Sequence, residues 1–309
     1  MVFNYSLIEG KMPGTKLSDR VILVQVFVSV FLFINVLQIT TFFMKQFFYT
    51  VMRYILFAIT LLSDCLFLII TNTTLLLGHF TITIQMWLCV IIFIVLSLYT
   101  FITPVTLTAM TLERYVAICM PMRHAELCST QRALQFILII HGLSSVPCIV
   151  VLFMFFASAN PSFYFQGRVC SAEMLIIYRW QAHVRSAVSQ FYFLIMSTTI
   201  VFSYVQIMRV AKAASGENKK STHKGLRTVV LHGFQLFLCL IQMWCPIIED
   251  AVFQIDLNVF STVRYFNYIT FILAPRCLSP LIYGLRDEKF FYALKYSTLN
   301  GLFKVQISF

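Results

Sequence analysis

Residues 86–115, MWLCVIIFIVLSLYTFITPVTLTAMTLERY, decide the fold. No charge falls between Met86 and Leu112; then Glu113 and Arg114 stand side by side, followed by Tyr115. A helix needs roughly 20 apolar residues to cross the hydrocarbon core of a bilayer, and this run exceeds that. The acid–base pair marks the lip where the helix leaves lipid.

The same texture recurs along the chain. Of its 309 residues, 60% are hydrophobic and 11% charged, whereas about a quarter are charged in a soluble domain. Further runs with at most one charge cover 21–44, 54–77 (Asp64), 133–159, 186–208, 228–248 and 265–285 (Arg276). Backbone polar groups in lipid must be paired internally, which a helix does within one segment. The sequence therefore predicts an all-α membrane protein, a single domain spanning 1–309 as a seven-transmembrane helix bundle. The helices are expected at about 21–45, 52–77, 86–118, 133–158, 186–212, 223–248 and 263–284. A short amphipathic helix over about 286–296 follows, because Arg286-Asp287-Glu288-Lys289-Phe290-Phe291 mixes charges and aromatics as a helix lying on a membrane requires.

Lys and Arg set the orientation. Lys45, Arg53, Arg123, Arg132, the cluster from Arg209 to Arg227, and the tail residues Arg286, Lys289, Lys295 and Lys304 all fall on one side. The positive-inside bias makes that side cytoplasmic and puts the N-terminus outside. The net charge of +11 is thus mainly a topology signal, and no nucleic-acid partner is expected. The first apolar run is too long for a signal-peptide core and is expected to direct its own insertion. Asn4-Tyr5-Ser6 is an outward-facing glycosylation sequon. Asn72-Thr73-Thr74 also matches, but lies too close to the bilayer to be modified.

Cys65, Cys148, Cys239, Cys245 and Cys277 fall within spans, and Cys119 and Cys128 on the cytoplasmic side, where they read as core residues or free thiols. Cys89 opens the third span on the outer side, and Cys170 lies in the loop between spans four and five. The oxidising outer face permits a bridge between them, although sequence alone does not fix connectivity. From Cys89 to Arg114 the helix rises about 37 Å at ~1.5 Å per residue. Glu113-Arg114-Tyr115 therefore sits at the cytoplasmic end.

Polar residues inside the spans form a constellation: Asn35 in the first, Asp64 in the second, Ser203-Tyr204 near the inner end of the fifth, and Ser279-Pro280-Leu281-Ile282-Tyr283 closing the seventh. This constellation resembles the rhodopsin-class G-protein-coupled receptors over essentially the whole chain. Glu113-Arg114-Tyr115 looks like their helix-three switch, and SPLIY like their Asn-Pro-x-x-Tyr. TLERYVAICMPMRHAELC, residues 111–128, is similar to the odorant-receptor signature MAYDRYVAICxPLxY in the form seen in fish. TVVLHG (228–233) and PRCLSPLIYGLRD (275–287) are similar to the same group.

The resemblance implies a switch. Glu113 holds the Arg114 guanidinium while the receptor is off; on activation the inner end of helix six opens and Arg114 turns towards Tyr204 and the G protein, with Tyr115 and Tyr283 in the same machinery. It also implies a small-molecule odorant as ligand, an olfactory stimulatory G protein as partner, cAMP as output, and the plasma membrane of sensory cilia as location. Departures are visible. His141 stands where most of the class has a Trp in helix four, and reads first as packing and second as a proton sensor. Helix six reads Gln242-Met-Trp-Cys-Pro246 rather than Cys-Trp-x-Pro or Phe-Tyr-Gly, which leaves the toggle residue open.

In the class an aspartate at the place of Asp64 often helps hold sodium, and mammalian odorant receptors tend to add a Glu in helix three, at the position where Thr103 stands here. Arg276 sits at i, i+4 and i+7 spacing with Pro280 and Tyr283, on one helix face. It reads either as a cation replacing sodium or as a side chain reaching internal water. Counting inward, the ligand pocket should draw Leu96, Ser97, Thr100 and Phe101 from helix three and Ser189 and Tyr192 from helix five. Met243, Trp244 and Ile247 would come from helix six, and Tyr268 and Ile269 from helix seven. Aromatic and aliphatic walls with a few hydroxyls suit small, mostly apolar molecules. Amine receptors place an Asp where Leu96 stands, which argues against a biogenic amine.

Within receptors the runner-up is a peptide or lipid ligand, with Glu249, Asp250 and Asp256 either meeting a cationic ligand or forming a solvated rim, the reading preferred. A transporter would use Asp64 and Arg276 as pathway charges, but no inverted repeat supports it. No metal-spaced His/Cys cluster, phosphate loop or nucleophile elbow suggests an enzyme, and no cofactor or metal is expected.

Overall fold

The computed structural model describes residues 19–214, 233–253, 255–286 and 290–296. Its principal helices are α1 (Asp19–Met44), α2 (Met52–His79), α3 (Met86–Cys119), the short α4 (Pro121–Leu127), α5 (Ala133–Ser158) and α6 (Arg179–Ala214). Then come α7 (Gly233–Phe253), α8 (Leu257–Asn267) and α9 (Ala274–Arg286), with a last helical segment, α10, over residues 290–296. Six of these are long and apolar enough to cross a membrane: α1, α2, α3, α5, α6 and α7. The seventh span is α8 and α9 joined by a π-helical turn, Tyr268–Leu273. That wide turn ends just before Pro275, whose missing N–H cannot bond the carbonyl four residues back.

The burial pattern is that of a protein in lipid. Phe153 is 74% and Phe33 69% exposed, while Asn35, Asp64, Ser203, Gln235 and Arg276 are buried. Large apolar side chains outside and polar ones inside suit a hydrocarbon solvent, where the interior holds the groups that lipid cannot satisfy. The central core gathers Phe57, Leu61, Ile102, Leu107, Met196, Ile200, Leu236 and Leu240, and so joins α2, α3, α6 and α7.

The spans differ from the sequence expectation mainly at their outer ends. The fifth begins at Arg179 rather than 186, because Gln181 accepts from the backbone N–H groups of Ile177 and Tyr178 and donates to the Met154 carbonyl. The sixth reaches Phe253, and the seventh starts at Leu257. Charged and polar outer turns carry no hydropathy signal, yet they remain helical above the bilayer. Residues 223–232, expected to open the sixth span, and 287–289 of the amphipathic helix lie outside the described residues, as does Asn4.

Candidate functional site

At the outer end, Cys89 and Cys170 are bridged, with Cα atoms 5.5 Å apart across a sequence separation of 81. Hydropathy gave no hint of the two-stranded sheet beside the bridge. β1 (Thr83–Gln85) pairs antiparallel with β2 (Gly167–Val169), Thr83 opposite Val169 and Gln85 opposite Gly167. Bridge and sheet together clamp the loop between α5 and α6 onto the mouth of α3.

Half-way through the bundle, α2, α3 and α9 meet at a buried charge pair. Arg276 Nη1 donates to Asp64 Oδ1 at 2.7 Å, with the two side chains 1% and 0% exposed. The Thr103 hydroxyl donates to the same carboxylate oxygen at 2.9 Å and lies 3.0 Å from Arg276 Nη1. Arg276 Nη2 donates to the Tyr99 carbonyl at 3.4 Å, and its guanidinium lies 3.6 Å from the centroid of the Phe67 ring. Charge, hydrogen bonds and ring face thus compensate a guanidinium that would otherwise be costly to desolvate. A sodium ion implied by the resemblance does not fit this donor set. The near side of Asp64 is taken by a full positive charge, and a second cation beside it would be repelled. Asn35, on α1, is also fully buried in the span.

Two amides not singled out from the sequence tie the proline-bearing seventh span to its neighbours. Gln38 donates to the Pro280 carbonyl at 2.8 Å, and Gln235 to the Pro275 carbonyl at 3.3 Å. Pro280 itself is buried; the side chains of Ser279 and Tyr283 lie outside the described residues.

At the inner end, Glu113, Arg114 and Tyr115 are all half-buried. Glu113 Oε1 lies 3.2 Å from His124 Nε2 on α4, and the Tyr115 ring lies 5.8 Å from that of Phe202. Tyr204 packs against the start of α7. A Cβ added at Gly233 would stand 3.2 Å from its ring, so the glycine permits a close approach of α6 and α7. Tyr204 also lines an open cavity of about 300 Å³ with Val205, Met208 and Arg209. A second, of about 340 Å³, lies among Lys45, Phe47, Phe48 and residues of α10. Neither reaches the residues expected to line a ligand pocket.

Those residues are divided by the packing. Phe101, Tyr192 and Met243 belong to or pack on the central core, with the Phe101 and Tyr192 rings edge-to-face at 5.4 Å. The Tyr192 hydroxyl donates to the Leu143 carbonyl on α5 at 2.6 Å. Ser97 lies beside Cys148 of α5. Tyr268 is 3.4 Å from the Thr71 hydroxyl of α2, and Ile269 packs with α1 and α2 residues. Trp244 is exposed on the seam with α6, edge-on to Phe193. It ends a 3₁₀ turn, Gln242–Trp244, whose tighter winding rotates it from the position that α-helical counting assigns. Leu96, Thr100, Ser189 and Ile247 are half-buried, Thr100 returning its hydroxyl to the Leu96 carbonyl.

Other expectations resolve locally. His141 Nδ1 lies 2.9 Å from the Ile137 carbonyl, a satisfied packing contact within its own helix. Asn72 exchanges hydrogen bonds with Gln25 at 2.6 and 2.9 Å, facing the bundle rather than a glycosylating surface. Of the acids at the outer mouth, Glu249 accepts from Asn267 at 3.1 Å and pairs with Arg264 at 3.8 Å, so it is not free for a cationic ligand.

Comparison with known proteins agrees with this architecture. Residues 34–283 match the family model described as 7 transmembrane receptor (rhodopsin family). The chain is 42% identical to odorant receptor 131-2 of Danio rerio over 93% of its own length and 88% of that protein's. It is 25% identical to growth hormone secretagogue receptor type 1 of Mus musculus, over 62% of this chain and 56% of that one.

Proposed function

This chain belongs to the rhodopsin family of seven-transmembrane receptors as an odorant receptor-like, multi-pass membrane protein, and from that premise we propose how it signals. A small, mostly apolar odorant binds in the outer half of the bundle, and the receptor activates an olfactory stimulatory G protein that raises cAMP. The observation that carries this reading is the identity to an odorant receptor along nearly the whole chain.

The site's geometry supports a division of labour. The outer loop is fastened over the bundle by Cys89–Cys170, where a ligand would enter. The Asp64–Arg276–Thr103 cluster joins three spans midway, so a shift of one reaches the others. Glu113, Arg114 and Tyr115 stand at the inner lip with Tyr204 on the facing helix, and we read this group as the switch, to which the resemblance alone adds Tyr283. Ligand binding works by favouring one of two arrangements of α7 against α6, and it shifts the equilibrium only by its differential affinity for them.

The test is a cAMP reporter in cells supplying the olfactory stimulatory G protein, screened with water-soluble odorants and then with peptides and lipids. Saturable responses to odorants that vanish in Arg114→Ala are expected. Responses to peptides or lipids alone would overturn the ligand class. A response to odorants through a different G protein would overturn only the partner.

A further inference from the structure

We propose that Gln235 is a positioning residue for the switch: its amide tethers the inner half of α7 to the Pro275 carbonyl of the seventh span and so holds α7 in its resting place. The inference rests on the switch reading above and adds a residue to it.

The seventh span cannot hold its own shape as the others do. Pro275 has no N–H for the Phe271 carbonyl and Pro280 none for the Arg276 carbonyl. A π turn, Tyr268–Leu273, precedes both. A helix whose ladder is broken twice takes its position from its neighbours. Two glutamines supply it: Gln38 of α1 donates from Nε2 to the Pro280 carbonyl at 2.8 Å, and Gln235 of α7 to the Pro275 carbonyl at 3.3 Å. A carbonyl only accepts, so each amide must present its nitrogen. The two side chains are 2% and 0% exposed. Burying an amide is costly without a bond, and Met would fill the same space at no such cost. Each glutamine is therefore explained by its hydrogen bond rather than by its packing.

The two anchors differ in what they join. Gln38 belongs to α1, which is itself fastened to α2 by the reciprocal amide bonds of Gln25 and Asn72 at 2.6 and 2.9 Å. It ties the seventh span to a stationary neighbour. Gln235 belongs to α7, the helix that changes place in the switch reading. Gly233, two residues earlier, lies against the Tyr204 ring of α6. Residues two apart on a helix are turned by about 200°, so Gln235 points away from α6 and towards the seventh span. The inner half of α7 is thus seated between a ring contact on one side and a hydrogen bond on the other, and an outward swing breaks both. The tether also ends one residue from Arg276, whose guanidinium is bound to Asp64 and Thr103. Displacement of α7 therefore pulls on the segment that carries the buried charge pair.

The experiment measures basal nucleotide exchange on a co-expressed olfactory stimulatory G protein, normalised to full-length receptor at the cell surface, alongside thermal unfolding of purified receptor. Gln235→Met removes the donor at nearly constant shape. It should raise basal exchange about two- to tenfold, the range that loss of one hydrogen bond supports. The rise should vanish when Arg114→Ala is added. Gln38→Met, which loses the corresponding bond on the stationary side, should lower the thermal transition and leave basal exchange at the wild-type level. If Gln235→Met reaches the surface poorly, Gln235→Asn, one methylene shorter, takes its place. A lower thermal transition in the Gln235 variant without a rise in exchange makes the residue a structural contact and overturns the proposal. Equal rises in the Gln38 and Gln235 variants overturn it as well, because α7 is then not the helix being held. A rise with Gly233→Ala but none with Gln235→Met overturns the tether and leaves the switch reading standing. No rise in either, or a rise that survives Arg114→Ala, overturns both.

Discussion

Removing both members of the buried charge pair should harm this receptor less than removing either one. Asp64 and Arg276 meet at 2.7 Å with essentially no solvent exposure. Two unit charges at that distance attract by about 6 kcal/mol at an effective dielectric of about 20, and desolvation offsets much of this. In Arg276→Leu the carboxylate keeps Thr103 but loses its counter-charge. In Asp64→Asn the guanidinium keeps the Tyr99 carbonyl and the Phe67 ring face and loses the anion. Stranding one buried charge costs about 3–5 kcal/mol, whereas a neutral replacement of both partners costs far less. The two single variants should therefore show strongly reduced surface yield and an earlier thermal transition in detergent. The double variant should recover a substantial part, with a coupling energy of about 2 kcal/mol or more. Flow cytometry of an epitope-tagged receptor gives the yield, and thermal unfolding of purified protein gives the stability. Because Arg276 occupies the near side of Asp64, signalling should also be indifferent to replacing sodium with choline at constant ionic strength. A double variant no better than the worse single, or a several-fold sodium effect, would refute the reasoning.

Cys89→Ser and Cys170→Ser should lower surface expression to a similar degree, and the double variant little further, since each single breaks the same bond; clearly additive losses would show that the bridge is not what each supports. Arg114→Ala should reach the surface at near wild-type levels and fail to activate any G protein; retained signalling would remove Arg114 from the switch. Gly233→Ala sets a methyl 3.2 Å from the Tyr204 ring, and such overpacking costs about 1–3 kcal/mol where neighbours cannot yield. Basal exchange should rise as α7 is pushed from α6 at its inner end, and an unchanged basal level with unchanged thermal stability would mean that Tyr204 simply moves aside.

The sequence by itself determined the class of fold, the seven spans and their orientation, because these depend on local quantities. A run free of charge must find lipid or a core, and Lys and Arg at its ends choose a side. It also identified Cys89 and Cys170 as the pair able to meet, since few cysteines stand on the oxidising face. What it left open is rotation about each helix axis. A span such as α5 is apolar nearly all round, so no polar stripe says which residues face a neighbour. Which group satisfies Arg276 was therefore decided by packing: Asp64, 212 residues away, together with Thr103 and the Phe67 ring. Packing likewise divided the residues counted into the ligand pocket, because a 3₁₀ turn at Gln242–Trp244 and a π turn at Tyr268–Leu273 break the α-helical count. The contact between His124 and Glu113 likewise waits on the return of α4 beneath α3. Contacts between helices depend on axial rotation and on turn geometry, and a bilayer-spanning sequence encodes these in side-chain shape rather than in polarity.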